Sequence, residues 1–376
     1  MEDHPKSTKN DYKFLKIAIS LGYRNLGSTW PNPSVGCVIV KNNHIVGVGN
    51  TACKGRPHAE KIALDQAKSN AIDSTVYLTL EPCSHFGKTN PCTSELIKAK
   101  VKRVVCPLKD PNPRVNGKGF ELLRKNGIEV DNSPLLLKEL KDLNEGFITS
   151  IEKKRPHITL KLAVSLNGKI ATKENKSSWI SGKKSRIFVQ MIRSKHDAIL
   201  IGSKTAFWDN PRLNLRDQFK NLPQPTKIIL DKNLKLLERI NLNRSITNNK
   251  LFLVHDVKLK KNKTESLKTK GINTLGVSTL ENGYLDLIDL FKKLSKLGLT
   301  RILVEGGGKL ATSLIEGKLV DKLILFTAGI ILDKDGIDGI NLNFSDTISL
   351  DDYDRYSLDK STIIGNDVAH FWNINN

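Results

Sequence analysis

The residues best suited to chemistry lie in the first quarter of this 376-residue chain, where a histidine, a glutamate and two cysteines are spaced like a metal site. Glu60 follows His58 by two positions, and Cys83 and Cys92 each follow a proline. One imidazole and two thiolates are the protein ligands of a catalytic zinc that keeps its fourth position for water. Because zinc lowers the pKa of that water toward neutrality, the pattern predicts hydrolysis, with Glu60 moving protons.

The same spacing matches zinc-dependent deaminases, in which H-x-E is followed by P-C and a second cysteine. His58 and Cys92 each follow a proline, as the first residues of helices often do. Two helix N-termini would then stabilise thiolates and hydroxide at the metal. A purely structural zinc stays open, because Cys53 and His85 are close enough in sequence to supply a fourth ligand.

Strand-like and helix-like stretches alternate in both halves, which predicts α/β layered domains that position these residues. In the first half, helices are expected at 12–23, 58–69, 93–100 and 120–126, and strands at 35–40, 44–49, 75–80, 101–108 and 128–130. In the second half, strands are expected at 157–164, 169–171, 198–202, 226–231, 250–255, 301–305 and 323–332, with helices at 183–196, 284–297 and 309–315 and a closing hairpin. A charged stretch at 152–156 separates the halves, and we expect two domains, 1–146 and 147–376.

The second half has no residue cluster typical of covalent catalysis, which suits hydride transfer from a cofactor. Its most informative pattern is a strand end followed by three glycines and a helix, at 304–308. Bare backbone amides at a helix start bind phosphate. Three glycines alone are weak evidence, and they do not form the G-x-G-x-x-G pattern of a standard dinucleotide-binding fold.

Composition limits the classes of partner. The net charge of +21 comes from 46 lysines and 14 arginines scattered along the chain, which indicates a solvated surface more than a nucleic-acid-binding surface. A small phosphorylated substrate needs only a few of these cations. The longest uncharged apolar run has ten residues, about half of a membrane span, and the N-terminus lacks a signal-peptide pattern. Five cysteines, of which Cys37 and Cys106 are expected in the core, suit the reducing cytoplasm.

Eight residues separate the two zinc-site cysteines, where nucleic-acid and nucleoside deaminases usually have two. Together with 31–36 and 110–119, this long loop resembles the deaminase half of the bifunctional riboflavin-biosynthesis deaminase–reductase family, RibD. The resemblance implies a cytidine-deaminase-like α/β/α layered domain, zinc on His58, Cys83 and Cys92, and Glu60 as the proton shuttle. The substrate contacts that it implies are Asn32, Lys88, Thr89, Asp110 and Asn112. Thr51 stands where the family usually has a substrate-binding histidine.

The second half follows the same family's reductase segments in order, at 161–168, 177–180 and 209–216. It therefore resembles a dihydrofolate-reductase-like α/β domain that uses NADPH to reduce a ribosyl side chain to ribityl. The implied cofactor contacts are Ala163, Trp179, Thr205, Asp209, Gly307, Gly308, Lys309, Leu310, Ala311, Thr312 and Ser313, with Lys232 a weaker candidate. The implied substrate contacts are Ser177, Arg193, Leu213, Arg216 and Glu305, with the two arginines on the phosphate. Candidates for the proton donor are Lys161, Asp209 and Glu305, and Asn167 and Asn210 replace usual aspartates.

The sequence thus predicts a two-domain enzyme that first deaminates 2,5-diamino-6-(5-phosphoribosylamino)pyrimidin-4-one and then reduces 5-amino-6-(5-phosphoribosylamino)uracil. Its expected cofactors are one Zn²⁺ and NADPH, and its expected partners are small molecules, with neither nucleic acid nor membrane. Whether identical chains associate is left open. Two alternatives remain at this point: a nucleic-acid base deaminase with a basic accessory domain, and a descendant that keeps one activity or none.

Overall fold

A computed structural model describes residues 8–87, 90–174, 180–236, 251–268, 272–342 and 354–374. Four expected site residues, Lys88, Thr89, Ser177 and Trp179, lie outside these ranges. The chain forms two compact units that divide between Arg155 and Pro156, at the charged stretch. The expected boundary at 146/147 falls inside a helix, Leu137–Glu152, which belongs to the first unit.

The first unit contains a five-stranded sheet. Its strands are β1 (Gly36–Lys41), β2 (His44–Asn50), β3 (Thr75–Leu78), β4 (Arg103–Val105) and β5 (Glu129–Asp131). They lie in the order β2-β1-β3-β4-β5; β1 is antiparallel to both neighbours, and β3, β4 and β5 are parallel. The hairpin therefore forms one edge, and the parallel strands bring their carboxyl ends to one side, where α/β sheets carry their sites.

The helices of the first unit pack on this sheet. They are α1 (Lys9–Gly22), α2 (Ala59–Ala67), α3 (Cys92–Lys98), α4 (Lys118–Lys125) and α5 (Leu137–Glu152). Helix α1 begins three residues earlier than expected because Thr8 and Asp11 form a reciprocal capping box. Cys37 and Cys106 are fully buried in the core, as predicted.

The second unit is built on a nine-stranded sheet with a small two-stranded sheet beside it. Its strands are β6 (His157–Val164), β7 (Lys169–Ala171), β8 (Ala198–Gly202), β9 (Thr226–Leu230), β10 (Leu251–Asp256), β11 (Asn273–Val277), β12 (Arg301–Glu305), β13 (Lys322–Ala328), β14 (Ile337–Asp338), β15 (Tyr356–Ile364) and β16 (Asp367–Ile374). Its helices are α6 (Lys183–Ser194), α7 (Ser203–Asp209), α8 (Lys261–Lys268), α9 (Leu287–Lys296) and α10 (Gly308–Glu316).

The large sheet has the order β11-β10-β9-β8-β12-β6-β13-β16-β15. From β11 to β13 all neighbours are parallel, and the closing hairpin β15–β16 adds antiparallel strands. The late strand β12 inserts between β6 and β8, so the chain changes direction along the sheet at this point. Crevices at such switch points, at the carboxyl ends of parallel strands, are the usual ligand sites of open α/β sheets.

The expected strand at 323–332 is too long. Strand β13 ends at Ala328 because the chain turns there, with the Ile330 amide donating to the Ala328 carbonyl. Ile331 is 72% exposed, so the end of this apolar run is surface rather than strand. Among the described residues, no helix is long and apolar enough to cross a membrane.

Candidate functional sites

The three predicted zinc ligands converge in the first unit. The ligand atoms of His58, Cys83 and Cys92 all lie within 4.8 Å of one another. The His58 Nδ1 atom is 3.2 Å from the Cys92 sulfur and 3.8 Å from the Cys83 sulfur. An imidazole and two sulfurs at this separation fit one tetrahedral zinc ion in their donor chemistry.

Three different elements deliver these ligands. His58 is the N-cap residue of α2, and Cys92 is the first residue of α3, which confirms their placement at helix starts. Cys83 follows the end of β3, and its carbonyl accepts the amide and the hydroxyl of Thr93, both at 3.2 Å. The start of α3 and the turn after β3 are thereby tied together, which fixes the two sulfurs relative to each other.

The protonation states suit a metal site with an adjacent proton carrier. The Cys92 thiol donates to the Cys83 sulfur and lowers the pKa of Cys83 to about 4, so that one sulfur is already a thiolate. Glu60, in the first turn of α2, is 4% exposed, and its burial raises the pKa of its carboxyl above the ordinary value. Its side chain is hydrogen-bonded to Cys92. A carboxyl group buried beside the ligands is placed to take up and release a proton during the reaction.

No fourth side-chain donor joins this cluster within the described residues. Cys53 is exposed, and its sulfur lies 3.5 Å from the Ser28 hydroxyl. His85 is also exposed and is not part of the cluster. The donor set therefore fits a catalytic zinc better than a structural zinc with four protein ligands.

Expected substrate contacts surround the cluster. The Asn32 side-chain amide donates to the Gly55 carbonyl at 2.8 Å, three residues before His58. Asp110 is buried near Cys83, whose charge contributes to raising the pKa of the Asp110 carboxyl. This carboxyl group accepts the backbone amide of Asn112 at 2.7 Å. Burial raises the pKa of Asp110 to about 6. Hydrogen bonds thus hold the Asn32 amide and the Asp110 carboxylate in loops near the metal ligands.

Thr51 does not replace the family histidine as a polar contact. It is 2% exposed, and its hydroxyl accepts the Val35 amide at 2.9 Å. Its carbonyl accepts the side-chain amide of Asn25 at 2.9 Å. Thr51 therefore stabilises the loop packing beside the hairpin.

Sequence reasoning missed the part played by Glu81, which precedes Cys83 by two residues. Its carboxylate is 3% exposed and accepts three backbone amides of residues 110–119, the segment that carries Asp110 and Asn112. The E-P-C order gave no hint of this, because the partners are backbone groups that have no sequence signature.

The second unit contains a cavity of about 1270 Å³ at the switch point of its sheet. The first residues of α7 and α10, after β8 and β12, line it from adjacent strands. The Gly307 amide donates to the Thr205 hydroxyl at 3.1 Å and links the two helix starts. A side chain at Gly308 would overlap the Asp338 carbonyl. Two adjacent helix N-termini in a crevice of this size fit the diphosphate of a dinucleotide such as NADPH.

A buried charged cluster lies at one end of this cavity. Lys161 on β6 is in register with Glu305 on β12. The Arg193 guanidinium donates to both carboxylate oxygens of Glu305, from Nε at 2.6 Å and from Nη2 at 2.8 Å. Burial lowers the pKa of Lys161, whereas the nearby Glu305 charge opposes this change. Burial, and then the charge of Arg193, lower the pKa of Arg216, so cationic groups crowd this end of the cavity.

Most of the expected reductase contacts that the structure describes line the cavity. They are Ala163, Arg193, Thr205, Asp209, Leu213, Arg216, Glu305, Gly307, Gly308, Lys309, Leu310 and Ser313, and the weaker candidate Lys232 lines it as well. Ala311 and Thr312 do not: Ala311 is fully buried, and the Thr312 hydroxyl accepts the Asn341 amide at 3.0 Å. Of the expected cofactor contacts at 307–313, Gly307, Gly308, Lys309, Leu310 and Ser313 therefore line the cavity.

Trp208 lines the cavity with 56% of its surface exposed, and sequence reasoning did not single it out.

The side-chain amide of Asn167 forms two hydrogen bonds with the backbone of Leu332. Its oxygen accepts the Leu332 amide at 3.1 Å, and its nitrogen donates to the Leu332 carbonyl at 2.7 Å. An aspartate could not donate to that carbonyl, so asparagine is well suited to this turn.

Comparison with known proteins finds a matching family model in each unit. Residues 8–108 match the cytidine and deoxycytidylate deaminase zinc-binding region, and residues 156–341 match the RibD C-terminal domain. The chain is 38% identical to the riboflavin biosynthesis protein RibD of Aquifex aeolicus, over 96% of this chain and 98% of that protein. It is 37% identical to RibD of Escherichia coli K12, over 86% of this chain and 89% of that protein.

Solved structures agree along nearly the whole chain. Acinetobacter baumannii RibD, form 1, superposes with a TM-score of 0.86 at 32% identity, covering 98% of this chain and 99% of that one. A diaminohydroxyphosphoribosylaminopyrimidine deaminase/5-amino-6-(5-phosphoribosylamino)uracil reductase from Thermotoga maritima superposes with a TM-score of 0.83 at 29% identity, covering 97% and 99%.

Proposed function

The chain belongs to the RibD family of riboflavin biosynthesis proteins, and we propose which of its residues carry out each of two reactions. It is a bifunctional deaminase and reductase with Zn²⁺ and NADPH as cofactors, and its fold is the expected pair of α/β domains. The first unit hydrolyses the 2-amino group of 2,5-diamino-6-(5-phosphoribosylamino)pyrimidin-4-one. The second reduces the ribosyl side chain of 5-amino-6-(5-phosphoribosylamino)uracil to ribityl.

One observation carries the assignment of the deaminase residues: His58, Cys83 and Cys92 form a cluster of three ligands beside a buried glutamate. When bound there, zinc would lower the pKa of a water ligand, so that hydroxide is available as the nucleophile near neutral pH. Glu60 accepts a proton from the attacking water and delivers it to the departing amine. Water is consumed, ammonia leaves, the carbon keeps the oxygen, and the second proton of the water ends on the neighbouring ring nitrogen. Asn32, Asp110 and Asn112, with Lys88 and Thr89, hold the substrate.

Held at the first residues of α7 and α10, NADPH would supply a hydride to C1 of the ring-opened ribose. The oxygen on that carbon must gain one proton to become the ribityl hydroxyl. We assign that proton to Lys161, because it lines the cavity beside Glu305 and is buried enough for its pKa to be lowered. Glu305 keeps the cation in place, and Arg193 fixes the Glu305 carboxylate. Arg216 binds the substrate phosphate.

We propose that both sites bind small molecules and that the protein functions in the cytoplasm. The cations that line the cavity are enough for phosphorylated substrates, and the long loop between Cys83 and Cys92 differs from the spacing of nucleic-acid deaminases. Zinc-binding thiolates are best kept reduced, as they are in the cytoplasm.

Assays with each intermediate test this proposal. The purified zinc-loaded protein should release ammonia from the diamino substrate without NADPH. It should oxidise NADPH only when the deaminated substrate is supplied, or after the first reaction has produced it. A protein that oxidises NADPH but never releases ammonia would instead be a descendant with one activity.

A further inference from the structure

Glu81 makes a concentrated set of hydrogen bonds next to the metal cluster. Its Oε2 atom accepts the backbone amides of Asp110 at 3.1 Å and Gly117 at 2.9 Å, and its Oε1 atom accepts that of Gly119 at 2.9 Å. The side chain is 3% exposed. In so dry a position, a carboxylate needs donors for both of its oxygens, and these amides supply them.

These bonds join two parts of the deaminase site. On one side, Glu81 is two residues before the ligand Cys83, and its own amide donates to the Leu108 carbonyl at 3.0 Å. On the other side, residues 110–119 carry Asp110 and Asn112, the proposed substrate contacts. The Asp110 carboxylate in turn accepts the Asn112 amide at 2.7 Å. A displacement of Glu81 would therefore move both substrate contacts relative to the metal ligands.

The contact at Gly119 is close. A Cβ atom at this position would lie 3.0 Å from Glu81 Oε1 and 3.2 Å from Glu81 Cγ, and would overlap the Pro82 carbonyl. Only glycine lets the start of α4 approach the turn before Cys83 this closely. Hydrogen bonds thus hold the backbone of residues 117–119 against Glu81, and the lack of a side chain at Gly119 leaves room for this close approach.

We propose that Glu81 is a positioning residue of the deaminase: it clamps the 110–119 segment to the turn before Cys83 and so fixes Asp110 and Asn112 at the substrate. This inference rests on the proposed deaminase function. The carboxylate is required because two acceptor oxygens face three donors. A glutamine would turn an NH₂ group toward at least one backbone amide and leave that amide without an acceptor.

The test compares Glu81→Gln and Gly119→Ala with the unaltered protein. Both variants should bind zinc in full and keep reductase activity on the deaminated substrate. Each should raise the deaminase KM about tenfold or more while kcat changes by no more than about threefold, because the loosened segment holds substrate and not the metal. Combined, the two changes should be strongly non-additive, since they break one contact. Hydrogen exchange should show loss of protection at the amides of residues 110, 117 and 119.

Asp131→Asn is the matched control. Asp131 is a fully buried carboxylate of the same unit that accepts the Ser133 amide at 3.0 Å and pairs with Arg103 at 2.6 Å. This variant should unfold at lower temperature with an unchanged deaminase KM. If the Glu81→Gln and Gly119→Ala proteins lose only thermal stability, as this control does, or if their amides stay protected, the clamp is refuted. If the unaltered zinc-loaded protein releases no ammonia, it is the proposed function that fails.

Discussion

The Arg193 guanidinium donates two hydrogen bonds, of 2.6 and 2.8 Å, to the two oxygens of the Glu305 carboxylate inside the cavity of the second unit. Its Nη1 atom also donates to the Asn214 carbonyl at 3.3 Å. The resemblance to the family implied that Arg193 binds the substrate phosphate together with Arg216. With its donors directed at Glu305 and Asn214, Arg193 is better suited to orienting Glu305, and Arg216 to the phosphate.

We expect Arg193→Met to lower the free energy of unfolding by about 3 kcal/mol, because the mutation leaves a buried carboxylate without its partner. Reductase kcat/KM should fall about 100-fold, because Glu305 loses its orientation. Deaminase activity should not change. Denaturant titration and the two assays measure these effects. In a cycle with Glu305→Gln, additive losses of stability would show that the pair is not coupled.

The pH dependence of the reductase should report Lys161. Burial lowers the pKa of this lysine in the folded protein, so its ammonium form is lost at a lower pH than in an ordinary lysine. If the ammonium donates the proton, kcat falls as pH rises through that lowered pKa. Lys161→Met should abolish most of the activity, and Lys161→Arg, which keeps the charge but cannot give up a proton, should not restore it. A Lys161→Arg protein with full kcat would exclude the lysine as the donor.

The pH dependence of substrate binding to the deaminase should report Asp110. Its pKa is raised by burial to about 6, so folding favours the protonated form. The resulting stabilisation is complete below the ordinary pKa of 3.8 and is lost as pH rises through about 6. If the Asp110 carboxylate accepts a substrate hydroxyl, as we propose, KM should fall as pH rises through 6, because the carboxylate forms over the same interval. Asp110→Asn should give a higher KM without this step, and a step that persists in the variant would assign it to another group.

Removing one sulfur should remove the metal. Cys92→Ser should lower the zinc content from about one ion per chain to less than about 0.1, because a neutral hydroxyl is a poor substitute for a thiolate. Ammonia release should vanish, while NADPH oxidation with the deaminated substrate remains. Cys106→Ala is the control, since this cysteine is fully buried and lies outside the cluster. Zinc retained at full stoichiometry in Cys92→Ser would show that the ligands are others.

The bounds of many strands and helices could be predicted from the sequence, because the residues that determine them are close together in the chain. Strands β6, β8 and β12 match their expected bounds, since each is a compact stretch in which most side chains are buried. The helix starts at His58 and Cys92 follow from the prolines before them. Helix α5 was not predicted: its N-cap is Leu136 in a left-handed conformation, and no capping side chain marks the start.

The contacts that complete the sites were harder to foresee, because they join residues that are distant in the chain. Glu81 meets backbone amides about 30 to 40 residues later, and Arg193 meets Glu305 across 112 positions. Likewise, only the turn after Ala328 shows that the apolar run at 323–332 is not a single strand. Residue types and spacing identify the groups that can do chemistry. The long-range contacts that hold those groups in position are visible only in the folded chain.

The most direct test of the two-site account is to measure both products in the Glu60→Ala protein. We expect this variant to bind zinc and to lose ammonia release by a factor of about 1000 or more, because Glu60 is the proposed proton carrier. NADPH oxidation with the deaminated substrate should continue at the rate of the unaltered protein. Equal loss of both activities in a folded, zinc-loaded variant, or undiminished ammonia release, would contradict the division of chemistry between the two units.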